Sequence, residues 1–371
     1  MAAVIGSRAT DNDGGVSAIL RRHSLGMALG GLAAAVAGRA ASAGERAFDM
    51  AALKPGYRRR IAAIRGGGRL PIFDIESSYN PTRLDLPAFA AAMDREGIAV
   101  MALSADQPGD LVDKGQRWSD DGYRLIAAYP DRFLPVGNGG NHPAWTRSPD
   151  RFLDDNERHI VEDRYPLMGE FEFRHYPSPR QVERQETWRD VKIAIDGPQG
   201  HRLFAFAART GIPFQIHYEI EDALLPALDT MLSTYPAAKV IWCHLAQVRW
   251  ASLAKSYNAA NLRDLLTRHP NLHIDTAFGG PNSIYPTSRE RHGRVWTDNG
   301  DIGADWKALI EDMPWRFLAA LDIGGDRQTS SHLEQWTTNL RRFLDRLPAG
   351  TREIVAYKAA WKLLFGETID G

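Results

Sequence analysis

The chain predicts an α/β fold, a closed (β/α)8 barrel of TIM type, on three observations. Eight short apolar runs recur between Pro71 and Asp322: PIFDIES (71–77), GIAVMAL (97–103), RFLPVGN (132–138), LMGEFEF (167–173), IPFQIHY (212–218), KVIWCHL (239–245), NLHIDTA (271–277) and RFLAALD (316–322). They are rich in β-branched and aromatic residues, too short for most helices, and separated by stretches of helical periodicity, as parallel strands are. Four of them end in groups that bind metals, Glu76, His217, His244 and Asp322. In a barrel of this kind the C-terminal ends of the strands carry the chemistry.

Composition agrees. A chain of 371 residues with 44% hydrophobic and 25% charged residues can bury a large core and is not compositionally disordered. A formal net charge of −1 gives no reason to expect nucleic acid or an anionic membrane as partner, which leaves a small molecule as the expected ligand.

Residues 1–43 read separately. Arg21-Arg22 precede a weakly apolar stretch from Leu25 to Gly38, followed by Ala41-Ser42-Ala43, the charged, apolar and small-residue regions of an export signal. The apolar part is short of the roughly 20 residues that a membrane-spanning helix needs. The expectation is export to the periplasm or the medium with cleavage near Ala43, and no stable membrane insertion. The paired arginines resemble a twin-arginine signal, although Ser24 stands where that motif commonly has Phe. Cleavage would remove Arg8, Arg21, Arg22 and Arg39 against Asp11 and Asp13, leaving a more acidic protein.

Residues 44–70 are a polar, basic lead-in expected to form a short helix and a Gly66-Gly67-Gly68 hinge, and 71–371 form the barrel. Leu224, Leu225, Leu228, Met231 and Leu232 make one apolar stripe that stops before Pro236. Leu333, Trp336, Leu340, Phe343 and Leu347 make another, ended by Pro348. Both are outer barrel helices. Long connections at 139–166, 174–200 and 278–314 fall on the functional face, and their Trp145, Trp188, Tyr285 and Trp296 are expected mainly to pack loops against the body. Cys243, the single cysteine, cannot form an internal disulfide and reads as a small buried hydrophobe.

Side chains two apart on a strand share a face, so Asp74, Glu76 and Ser78 align, as do Glu170 with Glu172 and His217 with Glu219. If these faces line the barrel mouth, several carboxylates converge with imidazoles and no lysine on the same strands. Buried like charges repel unless they are protonated or share a cation, and a divalent metal is the simplest resolution. His23, His142, His159, His201, His269, His273, His292 and His332 have no such placement and read as surface or structural residues.

With these residues in view the chain resembles the amidohydrolase superfamily, in its amidohydrolase-2 branch, from about Pro71 to Gly366. The resemblance rests on the order and spacing of GIAVMALS, YPDRFLPVGN, LFAFAARTGIPFQIHYE, YPAAKVIWCHLAQ, NLHIDTAFGG, FLAALDIGGD and IVAYKAAWKLLFG. It implies that Glu76 stands for the first histidine of an Asp-x-His-x-His strand-one motif as a metal ligand. His217 would be the strand-five ligand, and His244 the histidine that polarises substrate or transfers a proton. Asp322 would bind metal and take a proton from water, and Glu170 would be an optional further ligand. Ser78 departs from the pattern by replacing the second histidine, and Lys358 stands where an asparagine is common. Losing that histidine leaves a site dominated by carboxylates and moves preference from zinc toward harder ions, with zinc or manganese favoured over magnesium as the single divalent ion. The implied activity is metal-dependent hydrolysis of a carboxylic ester, lactone or amide. Non-oxidative decarboxylation on the same site is the second reading, and a degenerate, non-catalytic ligand-binding barrel the third.

Overall fold

Each apolar run becomes a strand, and a helix follows each strand in turn. The computed structural model describes residues 47–80, 84–105, 118–324 and 329–369; the export-like segment lies outside them. The elements are α1 (Met50–Gly66), β1 (Ile72–Tyr79), α2 (Leu86–Glu96), β2 (Ile98–Ala105), α3 (Asp121–Ala128), β3 (Phe133–Pro135), α4 (Pro149–Glu162), β4 (Met168–His175), α5 (Pro198–Thr210), β5 (Phe214–Tyr218), α6 (Leu225–Thr234), β6 (Val240–Trp242), α7 (Ala259–Arg268), β7 (Leu272–Asp275), α8 (Ala304–Asp312), β8 (Phe317–Leu318), α9 (Ser330–Leu344) and α10 (Ala359–Phe365).

Strands β1 to β3 pair in parallel, and β4 to β8 form a second parallel set. Backbone hydrogen bonds bridge both gaps. On one side Gly137 N–H donates to Leu167 O (2.9 Å) and Gly140 N–H to Glu170 O (2.8 Å). On the other, Ile75 N–H donates to Ala319 O (2.9 Å), Asp322 N–H to Glu76 O (3.0 Å) and Ser78 N–H to Ile323 O (2.8 Å). The eight parallel strands therefore close on themselves, which removes the unpaired edges of an open sheet. Inside the ring, Gln215 Nε2–H reaches from β5 across to Ile75 O of β1 at 2.5 Å.

Strand eight is shorter in its ladder than its apolar run suggests, because side chains take over the amides that follow. Leu321 N–H donates to Asp74 Oδ1 (2.9 Å), Ile323 N–H to Ser77 Oγ (3.2 Å) and Ala320 N–H to Thr276 Oγ1 (3.3 Å). Ser77 Oγ–H in turn donates to Asp74 Oδ2 at 2.7 Å. Asp74 is thus a buried clamp between β1 and β8, and burial pushes its carboxyl up to about 8.

The lead-in forms a longer helix than its composition suggests. Asp49 Oδ1 caps α1 by accepting the Ala51 and Ala52 N–H groups, and Tyr57 O–H donates to Phe133 O at 2.7 Å. Arg60 donates to Ala99 O (2.9 Å) and Ile98 O (3.0 Å). Those carbonyls lie where β2 and β3 begin, so α1 seals the end of the barrel opposite the functional mouth. The two expected stripes pack as outer helices: α6 buries Leu228, Met231 and Leu232, while α9 buries Leu333, Leu340 and Phe343. Two features carry no apolar run and escaped the sequence reading. Val191–Lys192 pairs antiparallel with the end of β4, and Ile284–Tyr285 pairs with Glu290–Arg291 in the loop after β7. No described helix is long and apolar enough to cross a membrane.

Candidate metal centre

The ends of β4, β5, β6 and β7 bring ionisable groups together in one buried cluster. Glu170 reaches it because β4 and β5 approach closely at Gly169, whose φ is 124° and where a Cβ would lie 2.7 Å from that of Gln215. His217 on β5 lies with Nδ1 3.1 Å from Glu170 Oε1 and Nε2 3.1 Å from Glu219 Oε1. His244, just past β6, has Nδ1 2.9 Å from Ala277 O and Nε2 3.0 Å from His217 Nδ1 and 3.2 Å from Glu170 Oε1.

Ala277 O can only accept, so His244 carries a proton on Nδ1 and turns Nε2 toward the cluster. His217 stands between two carboxylates, Glu219 Oε1 at Nε2 and Glu170 Oε1 at Nδ1, each 3.1 Å away. His217 Nδ1, His244 Nε2 and Glu170 Oε1 thus face one another in a triangle that positive charge satisfies, as protons on the imidazoles or as a metal ion. The electrostatics say the same. Burial lowers the basicity of both rings, but Glu170 outweighs it, raising His217 and lifting His244 to about 10. Burial works to raise Glu170, yet the two imidazoles hold it well below the usual carboxylate range.

A second group shares His244. Ligand atoms of Glu76, His244 and Asp275 all lie within 4.8 Å of one another, as do those of Glu170, His217 and His244. Glu76 Oε2 is buried without a hydrogen-bond partner, as is Asp275 Oδ2. Burial, and then the charges of Asp322, Glu170, Asp275 and Asp74, push Glu76 well above its ordinary value. Buried carboxylates that keep orphaned oxygens, grouped with imidazole nitrogens, suit a divalent cation, so the residues present fit the metal that the sequence implies.

Of the expected site residues, Glu76, His217, His244 and Glu170 fall in these two groups. Asp322 belongs to neither among the described residues. It sits beside Glu76 through its backbone, its charge acts on Glu76 and His244, and it lines a cavity of about 550 Å³. His244 (φ 71°) and Asp322 (φ 48°) both adopt left-handed backbone, which costs a non-glycine residue on the order of 1–3 kcal/mol. Asp275 Oδ1 holds the His244 N–H at 2.8 Å and Glu76 O holds that of Asp322, and these bonds keep the two side chains aimed into the mouth. Ser78 lies close to the turn after β8: a Cβ on Gly324 would come within 2.5 Å of its Oγ.

Sequence reasoning passed over Asp275, Arg249 and His175, and expected His292 to be a surface or structural residue. Asp275 ends β7, so the strand-end rule that found the others applied to it equally. Arg249 lies 3.3 Å from Glu219 Oε1, and Glu219 also accepts the Tyr176 N–H at 3.1 Å. His175 packs its ring 4.4 Å from that of His217 and is held well below its ordinary value by burial and by His217. Of the loop aromatics, Trp145 is fully buried and donates Nε1–H to Glu172 O, Tyr285 packs inward, Trp188 is exposed, and Trp296 lines the cavity.

His292 also lies in the cavity wall, and burial, with the nearby Arg249 charge, pushes it down to about 4 from its ordinary 6.5. Between those values the unfolded chain binds a proton that the folded chain refuses. The stability carried by the neutral ring is therefore full above pH 6.5 and lost as pH falls toward 4. His292→Gln is expected to lose less stability than wild type between pH 7 and pH 4.5, by on the order of 2–3 kcal/mol, in denaturant titrations at the two pH values. Equal losses in the two proteins would show that His292 is not the group responsible.

No curated protein matches the sequence. Among solved structures, the chain is similar to 2,6-dihydroxybenzoate decarboxylase from Rhizobium (14% identity, 80% of this chain and 99% of that chain, TM-score 0.45). It is also similar to 4-oxalomesaconate hydratase from Rhodopseudomonas palustris (14% identity, 86% and 92%, TM-score 0.44). A third is a dihydroxybenzoic acid decarboxylase from Polaromonas sp. JS666 with bound manganese and the inhibitor 2-nitroresorcinol (13% identity, 79% and 96%, TM-score 0.44). The sequence profile described as amidohydrolase matches residues 82–324. That match spans α2 to the turn after β8, and the chain belongs to the amidohydrolase family of enzymes.

Proposed function

We propose that the protein is a metal-dependent hydrolase of a small-molecule carboxylic ester, lactone or amide. The observation that carries this reading is the triangle of His217 Nδ1, His244 Nε2 and Glu170 Oε1 beside the unpartnered Glu76 Oε2. Glu76, Glu170, His217 and His244 would hold one divalent ion, zinc or manganese, whose chemistry is to acidify water and polarise the oxygen under attack.

The protein's own groups supply the rest. Glu219 fixes the His217 ring so that Nδ1, and not Nε2, faces the reacting centre. His244, its Nδ1 committed to Ala277 O, offers Nε2 alone. Asp322, outside both ligand groups and lining the cavity, is the base that takes a proton from water and returns it to the leaving group. Phe278, Trp296 and Phe343 in the same wall limit water beyond that proton path.

Decarboxylation is the second reading, favoured by one observation. Arg180 lines the cavity that Asp322 also lines, and a guanidinium group suits a carboxylate-bearing substrate. The test is metal analysis of protein purified without added metal, followed by turnover of esters, lactones and amides, with carbon dioxide release from hydroxybenzoates measured alongside. Ester, lactone or amide turnover that disappears with a chelator supports the hydrolase. Carbon dioxide release alone supports the lyase, and a metal-free, inert protein removes both.

Ser78→His tests whether strand one is decayed or adapted. The imidazole would start beside Gly324 at the end of β1 and would take a coordination position that substrate or water needs. Turnover is expected to fall about 10- to 100-fold. An inert wild type that gains activity with this change would favour a degenerate barrel. We also propose that the protein is exported with loss of residues 1–43; an intact mass of the extracytoplasmic form that still includes Met1 would overturn this.

A further inference from the structure

Asp275 has two carboxylate oxygens in different circumstances. Oδ1 accepts the His244 N–H at 2.8 Å and the Ala277 N–H at 3.0 Å, which is a structural task at the exit of β6. Oδ2 is buried without a hydrogen-bond partner, and the Cys243 thiol, a weak donor, is the side chain set against the carboxylate. The residue is 0% exposed, and Glu76, whose Oε2 is equally orphaned, is 5% exposed. Glu76, Asp275 and His244 each bring one ligand atom within 4.8 Å of the others, and two buried carboxylates that each keep an oxygen without a hydrogen bond are what a cation among them would satisfy. His244 can contribute only Nε2, because Nδ1 is spent on Ala277 O.

Strand one explains why an extra donor is needed. Ser78 stands two residues after Glu76 near the end of β1, past an irregularity in the ladder between Asp74 and Ser77, and a neutral hydroxyl is a poor ligand. We propose that Asp275 Oδ2 is a metal ligand, supplied from strand seven in place of the donor that Ser78 does not provide from strand one, so that Glu76, His244 and Asp275 hold one side of the ion. The assignment rests on the metal-dependent reading above and deepens it. It makes the site rich in hard oxygen donors, which selects Mn2+ over softer competitors.

Asp275→Asn separates the structural task from the ligand task. The amide oxygen still accepts the His244 and Ala277 N–H groups, while the orphaned oxygen becomes an NH2 that cannot bind a cation. Titration of metal-depleted full-length protein with Mn2+, following free Mn2+ by electron paramagnetic resonance, is expected to give at least about tenfold weaker affinity in the variant, with an unchanged far-ultraviolet spectrum. Wild-type affinity in Asp275→Asn would overturn the assignment and leave the functional reading standing. A wild-type protein that binds neither Mn2+ nor Zn2+ would overturn both. If the variant does not fold, the anomalous signal of Mn2+ in crystals of the wild type decides: an ion bonded to Asp275 Oδ2 is the expected result, and an ion held only by other residues overturns the proposal.

Discussion

His217→Ala is expected to lose the metal and at least about 100-fold in turnover, because it removes the Nδ1 lone pair that closes the triangle with Glu170 and His244. The damage extends to the protein around it. Glu170 loses the imidazole that most strongly holds it ionised, and Glu219 loses its Nε2–H donor. An ion that binds only the folded state stabilises it by about 2.7 kcal/mol when present at 100 times its Kd, so thermal stability should fall by a similar amount. Metal content after dialysis and melting with and without added Mn2+ are the measurements. A variant that keeps wild-type metal content would sink the shell as drawn. A wild type whose melting temperature is indifferent to metal would show that the triangle is satisfied by protons alone.

His217 was legible in the sequence for a definite reason. Its neighbours Phe214 and Ile216 are apolar, the run is too short for a helix, and a histidine at the end of such a run must meet whatever fills the barrel mouth. The same logic exposed Glu76, His244 and Asp322, and it recovered all eight strands because each is a run of buried apolar residues bounded by polar ones. It placed α6 and α9 through their stripes. The lead-in helix was only half legible: its length depends on Tyr57 and Arg60 finding the carbonyls where β2 and β3 begin, and nothing local signals those partners.

Other parts of the site were hidden because they depend on closure of the ring. Asp275 is separated from His244 by 31 residues and from Glu76 by far more, and only the completed barrel brings a ligand atom of each within 4.8 Å of the others. Periodicity also could not assign roles. It put His217 and Glu219 on one face, as they are, but that Glu219 holds the His217 ring follows from a 3.1 Å contact to Nε2. Asp322 is the converse case. The strand-end rule found it, and its charge acts on Glu76 and His244, yet only the folded backbone, left-handed at Asp322 and hydrogen-bonded to Glu76 O, sets it at the cavity wall.

Arg249 sets the second large expectation. Its guanidinium lies 3.3 Å from Glu219 Oε1, with both side chains almost completely removed from water, and also donates to Tyr176 O. Burial alone would raise Glu219, but Arg249 and then His217 bring it below the ordinary carboxylate value. Arg249→Met keeps much of the apolar bulk while leaving a buried carboxylate without its counter-ion, a change that typically costs about 3–5 kcal/mol. The Glu219–His217 contact should loosen with it, so metal affinity falls even though Arg249 touches no ligand atom. The double variant Arg249→Met/Glu219→Gln removes the charge with its partner, and the amide oxygen can still accept from His217 Nε2. It is expected to regain more than half of the lost stability and most of the metal affinity, as judged by denaturant midpoints and Mn2+ titration of all three proteins. If the double variant is no more stable than Arg249→Met, the loss comes from the packing of Arg249 against Tyr285 and not from the unpaired Glu219.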